Sequence, residues 1–297
     1  MLSLVRLRNY AFLVFVTMSL PAFAADVALT RDIVFGRGGD VELRLDLARP
    51  VEASEPAPCV VVIHGGAWRS GNKSLHINEI RRFAEQGYVS ATIQYRLCPK
   101  HCFPAQIEDV KCAVRFLRAN AKKYGIDPKR IGAIGFSAGA HLSMMLGTMD
   151  PKDGFEGDGG WADQSSKVQA VVSFFGPTEL AGEDLPERSV SLVNAFIGGT
   201  KADMMQAFKD ASPITYVDSG DAPMLLLQGT EDPLVPHTQA IKMVDLMTEA
   251  NVPGRVELII DVSHGWGGQE LQRTIEVSNQ FFRRYLRGDE NWTDSPK

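Results

Sequence analysis

The chain has 297 residues, 44% of them hydrophobic and 23% charged, with a net charge of -5. That length suits one large α/β domain or two modest ones, and the composition is that of an ordinary globular protein. The acidic balance, with no basic patch interleaved with aromatics, excludes a nucleic-acid binder.

The amino terminus reads as an export signal. Arg6 and Arg8 supply a positive start, and residues 11–20 form an apolar run too short to span a bilayer. Ala22-Phe23-Ala24 then places small residues where a signal peptidase cuts. The expectation is a signal peptide at 1–24 and a mature domain at 25–297, periplasmic or extracellular, with no membrane span after cleavage.

Export gives the cysteines a meaning. Cys59, Cys98, Cys102 and Cys112 are an even set, which suits disulfides in an oxidising compartment. Cys59 lies in the apolar run 58–63 and reads as a buried thiol. The expected bridge joins Cys102 to either Cys98 or Cys112. No Cys/His pair has zinc-ligand spacing, so no metal site is expected.

Residues 41–47 alternate apolar and polar with period two, a half-exposed strand near a sheet edge. Residues 59–64 form a continuous apolar run, a buried strand. Ile77, Ile80, Phe83 and Ala84 mark a helix over 77–86, and 88–95 is a strand again. Residues 104–124 form a long helix with Ile107, Val110, Val114 and Leu117 on one face. Pro104 fits its first turn and Gly125 its C-cap. A short strand at 130–134 and a helix at 140–146 follow. Residues 150–167 are a loop; Asp158-Gly159-Gly160 within it has too few carboxylates for calcium and reads as a turn. Strands at 168–175, 223–228 and 256–260 come next, with a helix at 240–250 between the last two and another at 275–286. The segment 179–212 interrupts the alternation, and a small helical cap is expected there. Alternating strands and helices predict a mostly parallel central sheet with helices on both faces.

Three sequence features carry chemistry. Gly135-Phe136-Ser137-Ala138-Gly139 reads G-x-S-x-G between a strand and a helix, the context of a nucleophile elbow. Residues two before and two after the serine must lack bulk, and both are glycine. A nucleophilic serine needs a base, and the base an acid that orients it, in the chain order Ser, acid, His. His264 lies in a loop after a buried strand and is preferred over His237, which stands at a helix start. Asp232 follows the strand 223–228 and is held in extended backbone by Pro233. Glu231 is its near rival and Asp261 a weaker one. His64-Gly65-Gly66-Ala67-Trp68 ends a buried strand, and its glycines let backbone N–H groups approach a developing oxyanion. The expected donors are the amides of Gly65, Gly66 and Ala138. Trp68, Trp161 and Trp266 stand near strand ends or in loops; Trp68 and Trp266 are the candidate substrate contacts, with a packed aromatic as the rival reading.

At these residues the chain resembles the α/β-hydrolase superfamily. Within it, the chain is similar to hormone-sensitive-lipase-like esterases and especially to BD-FAE, a branch of feruloyl-esterase-like proteins. The matching segments are HGGAW at 64–68, YRL at 95–97, FPAQIEDVKCAVRFLRANA at 103–121, GFSAGAHL at 135–142, FFGPTEL at 174–180, GTEDPLVP at 229–236 and SHGW at 263–266. The resemblance implies an α/β-hydrolase fold with Ser137 as nucleophile, His264 as base and Asp232 as acid. It also implies that Arg96 and Asp109 form a structural buried pair. Ala67 replaces the third glycine of HGGG, and Cys98 and Cys102 stand where related chains often carry Ala and Pro, which suggests a loop pinned by a disulfide.

The activity so implied is hydrolysis of a short-acyl carboxylic ester, acetyl or feruloyl in type, on a small-molecule or carbohydrate alcohol, with no cofactor. The same triad also cleaves amides, but the extra domain or amine-binding acidic pair of a dedicated exopeptidase is not evident. A hydrolase fold used only for binding has no need of an elbow serine.

Overall fold

The computed structural model describes residues 26–289, so the expected signal segment lies outside the described residues. Eight strands form one sheet: β1 (Val27–Gly38), β2 (Val41–Pro50), β3 (Ala57–Ile63), β4 (Val89–Ile93), β5 (Ile126–Phe136), β6 (Ala170–Phe174), β7 (Met224–Gly229) and β8 (Gly254–Ile259). Their spatial order is β1-β2-β4-β3-β5-β6-β7-β8. The β1–β2 and β2–β4 pairs are antiparallel, and every other neighbour pair is parallel.

The apolar runs explain the centre of this sheet. Every residue of β3 is buried. Cys59, Val61 and Ile63 point into one core, Val60 and Val62 into the other. In β7, Met224 and Leu226 face the first core, Leu225 and Leu227 the second. A strand covered on both faces has no solvent side, so it carries no polar alternation.

The helices are α1 (Ile77–Glu85), α2 (Ala105–Ala119), α3 (Ala121–Tyr124), α4 (Ala138–Thr148), α5 (Glu187–Ile197), α6 (Lys201–Asp210), α7 (His237–Glu249) and α8 (Gly268–Arg287). Ile107 of α2, Leu142 of α4 and Met243 of α7 enter the first core. Ile80 and Phe83 of α1 and Phe281 and Phe282 of α8 enter the second. The expected layering, helices on both faces of a mostly parallel sheet, is present. The expected cap is there too: α5 and α6 lie between β6 and β7 in the chain, and α5 buries Val193, Phe196 and Ile197. Among the described residues no helix is long and apolar enough to cross a membrane.

Two expectations need correction, and one strand goes beyond them. The helix over 104–124 is two helices. Asn120 adopts φ -101, ψ 19, and its side-chain amide donates to the Phe116 carbonyl at 2.9 Å, ending α2 before the short α3. The opening strand β1 was not anticipated, because half-exposed residues and two register shifts against β2 erase its alternation. The disulfide is not formed: Cys59, Cys98, Cys102 and Cys112 are all free thiols. Cys98 faces the Ala67 carbonyl at 3.9 Å, Cys102 the Pro99 and Ala195 carbonyls at 3.6 and 3.8 Å, and Cys112 the Phe35 carbonyl at 3.9 Å. Cys102 and Cys112 therefore contact different segments of the chain.

Candidate active site

Ser137 sits in the one-residue gap between β5 and α4, with φ 53 and ψ -119. A side chain other than glycine stays at positive φ only where its surroundings fix it. Here the Ser137 amide donates to the Phe174 carbonyl at 2.8 Å, and its carbonyl accepts from the His141 amide at 3.0 Å. The two flanking glycines leave no room for a side chain. A Cβ on Gly135 would lie 2.2 Å from the Gly139 carbonyl oxygen, and one on Gly139 would lie 2.1 Å from that of Ile63.

The loops after β7 and β8 bring Asp232 and His264 to this serine. His264 Nε2 lies 2.9 Å from Ser137 Oγ, and its Nδ1 lies 2.8 Å from Asp232 Oδ2. Asp232 Oδ1 accepts from the Leu234 and Val235 amides at 2.8 and 2.9 Å, and Gln228 Nε2 donates to Oδ2 at 2.8 Å. Burial alone would raise the Asp232 pKa. The His264 hydrogen bond and the backbone amides outweigh it and hold the carboxyl below the usual carboxylate range. An ionised carboxylate only accepts, so the imidazole proton belongs on Nδ1 and the Nε2 lone pair faces the serine hydroxyl. Phe175 braces the imidazole edge-on, ring centres 4.8 Å apart.

The rival residues fall elsewhere. His237 opens α7. Glu231 and Asp261 are exposed, and Asp261 occupies a turn at φ 56.

The 64–68 loop packs directly on the elbow. A Cβ on Gly65 would meet the Phe136 carbonyl at 2.6 Å and Ser137 Cβ at 3.3 Å. The Gly66 carbonyl accepts from the Arg69 and Ser70 amides at 3.1 and 3.0 Å, folding the loop back on itself. His64 stacks on Tyr95 at 4.3 Å. Burial pulls its pKa down to about 4. The ring is therefore neutral, and Nδ1–H donates to the Gly65 carbonyl at 2.8 Å. Ala138 is the first residue of α4, where backbone N–H groups have no intrahelical partner and the helix dipole is positive.

A cavity of about 50 Å3 opens onto Ser137 and His264, walled by Trp68, Leu192, Val193 and Val235. Trp68 lines this cavity and Trp266 does not. The Trp266 indole N–H donates to Thr274 Oγ1 at 2.9 Å, and its ring packs on Phe174 and Phe175. Trp161 donates to the Phe35 carbonyl at 2.8 Å, against β1. A larger cleft of about 760 Å3 borders His64, Gly71 and Leu97, but Ser137 does not line it. Arg96 and Asp109 form the anticipated pair: the guanidinium Nε and Nη2 reach Asp109 Oδ1 at 2.9 and 2.7 Å.

Sequence reasoning missed Gln228, Phe175 and the apolar residues of α5. Gln228 is a polar residue ending a buried strand, and its 1% exposure is what demands hydrogen-bond partners.

Sheet order, elbow and the Asp232–His264–Ser137 arrangement define an α/β-hydrolase fold with a serine at its elbow. The BD-FAE family model matches residues 45–247, and the chain belongs to that family. The probable carboxylic ester hydrolase LipM of Mycobacterium tuberculosis is 33% identical over 237 residues, covering 76% of this chain and 53% of LipM. The chain spans about half the length of the curated relatives it matches. A truncated carbohydrate esterase from gut microbiota has a TM-score of 0.75 at 26% identity, covering 86% of this chain and 96% of its own. Thermogutta terrifontis esterase 2 phosphonylated by cyclosarin has a TM-score of 0.73 at 26% identity, covering 92% and 96%.

Proposed function

We propose that this protein hydrolyses short-acyl carboxylic esters through Ser137, His264 and Asp232. The observation that carries the reading is the continuous hydrogen-bond line from Asp232 Oδ2 through both imidazole nitrogens to Ser137 Oγ, 2.8 and 2.9 Å. His264 Nε2 takes the serine proton as Oγ attacks the ester carbonyl. The amides of Gly65, Gly66 and Ala138 receive the oxyanion. The imidazolium, stabilised by ionised Asp232, then protonates the departing alkoxide. Water repeats the sequence on the acyl-enzyme and releases the acid.

The small cavity beside Ser137 supports a small acyl group. One water needs roughly 10–15 Å3 of comparable space, so a cavity of about 50 Å3 holds only a handful of heavy atoms. Of the two acyl types expected, this supports acetyl and disfavours the bulkier feruloyl group. A carbohydrate alcohol is supported by the likeness to a carbohydrate esterase. Export is part of the proposal, on Arg6, Arg8, the apolar run and Ala22-Phe23-Ala24. N-terminal sequencing of the mature protein should begin at Ala25; a retained Met1 would overturn export.

The test of activity is hydrolysis of p-nitrophenyl esters from acetate to octanoate, with Ser137→Ala beside the wild type. The reading expects serine-dependent turnover that falls with chain length. Equal turnover by Ser137→Ala, or rates that rise toward octanoate, would overturn it.

A further inference from the structure

We propose that His141 is a positioning residue that holds the oxyanion-side loop in register with Ser137, acting through the Trp68 indole; this rests on the reading of Ser137 and of that loop given above.

The loop is strained where it leaves the glycines. Ala67 and Trp68 both adopt positive φ, 50 and 56. Two consecutive L-residues there relax unless packing and hydrogen bonds fix them. Trp68 supplies the fixing points. Its side chain is buried and stacks on Phe196 of α5 at 4.3 Å with ring planes 14° apart. Its carbonyl accepts from the Cys98 amide at 2.9 Å. Its indole N–H donates to His141 Nδ1 at 3.2 Å, with the two rings edge to face at 5.1 Å.

His141 is suited to receive that proton in one tautomer only. Its Nε2 lies 2.7 Å from the Ala211 carbonyl, an obligatory acceptor, so Nε2 carries the hydrogen and Nδ1 is left to accept. The ring is completely buried, and burial keeps it neutral with a pKa pulled down to about 4. Its backbone completes the device. His141 stands one turn into α4, its amide bonded to the Ser137 carbonyl at 3.0 Å. The helix that presents the nucleophile therefore also carries the anchor of the loop that faces it. Displacement of either is transmitted to the other through one hydrogen bond and one edge-to-face ring contact.

An oxyanion exists in the transition state and not in the bound ester, so loss of register should appear in kcat and leave KM nearly unchanged. The test uses three variants of the full chain on p-nitrophenyl acetate. His141→Leu leaves the Trp68 N–H without an acceptor, and its kcat should fall about 10- to 100-fold, short of the 10²–10³ lost with a whole oxyanion donor. His141→Gln can both accept from Trp68 and donate to Ala211, and it should recover most of the rate. Trp68→Phe keeps a ring and lacks the N–H; it should reproduce the kcat loss, and the loss should not deepen when it is combined with His141→Leu. Affinity for a trifluoromethyl ketone, which forms an oxyanion on Ser137, should fall in step with kcat/KM. Folded Trp68→Phe with wild-type kcat, or a loss confined to KM, would overturn the proposal, and Trp68→Phe decides it even where His141→Leu does not fold. An active Ser137→Ala would instead overturn the underlying reading of the site.

Discussion

Gln228 and His264 donate to the same oxygen of Asp232: the Gln228 amide and the imidazole Nδ1 each lie 2.8 Å from Oδ2. The other oxygen is taken by two backbone amides, so the carboxylate is surrounded entirely by donors. Such a cradle fixes both its ionisation and its direction. It also makes the site intolerant of a group that must itself donate.

Asp232→Asn puts that conflict to use. With its oxygen kept on the Leu234 and Val235 amides, the new NH2 faces Gln228 Nε2 and His264 Nδ1. The imidazole can accommodate it only by moving its proton to Nε2, where it can no longer take the Ser137 hydrogen. The expected loss is about 10⁴-fold in kcat with the fold intact, as for the equivalent change in other triads. Steady-state kinetics beside circular dichroism would check this; a folded variant within tenfold of wild type contradicts it.

The reach of the sequence differed between these partners. Ser137, Asp232 and His264 each announce themselves by position: an elbow between strand and helix, and loops following buried strands in the order the chemistry requires. Gln228 carries no such mark, since a glutamine closing an apolar strand looks like a strand end. Phe175 is one aromatic in a strand-end run, and its support of the imidazole depends on how the segments after β6 and β8 meet across β7. The α5 wall was legible only as a cap, because which helix face meets the cavity is decided by tertiary packing. Trp266 shows the reverse: its place beside His264 suggested the pocket, but its half-buried indole N–H needs an acceptor, and Thr274 supplies it from α8. The cysteines suggested a bridge by count and spacing, yet their thiols face carbonyls of separate segments.

The α5 wall predicts a change of chain-length preference. Leu192→Ala removes part of the cavity boundary while leaving Ser137 and His264 untouched. The hexanoate-to-acetate ratio of kcat/KM should rise about tenfold, since one or two methylenes in an apolar pocket are worth roughly 1–3 kcal/mol. An unchanged ratio would place the acyl chain elsewhere.

The buried pair makes a prediction about stability. Asp109 is 1% exposed and receives both the guanidinium and the backbone amide of Arg96. Asp109→Ala leaves a largely buried cation with Glu108 as its remaining carboxylate. The expected cost is about 3–5 kcal/mol in urea unfolding. A cost below about 1 kcal/mol would show the pair to be dispensable.

Acid should weaken the fold through its buried imidazoles. His64 and His141 have pKa values pulled down to about 4 by burial, against an ordinary value of about 6.5. As pH falls below about 6.5 the unfolded chain binds these protons and the native chain does not. Stability contributed by the neutral rings is therefore present above that pH and is lost progressively toward pH 4. Asp221, pushed up to about 7 by burial, works in the opposite direction over part of this range. The comparison that isolates His141 is the slope of urea stability against pH for wild type and His141→Gln. The variant should be shallower; identical slopes would contradict a neutral buried His141.

The central claim is that Ser137 is the nucleophile. Treatment with a fluorophosphonate, followed by intact mass and peptide mapping, tests it most directly. The account predicts one adduct per chain, on Ser137, absent from Ser137→Ala and strongly slowed in Asp232→Asn. No adduct on folded protein, or an adduct on another residue that persists in Ser137→Ala, would contradict it.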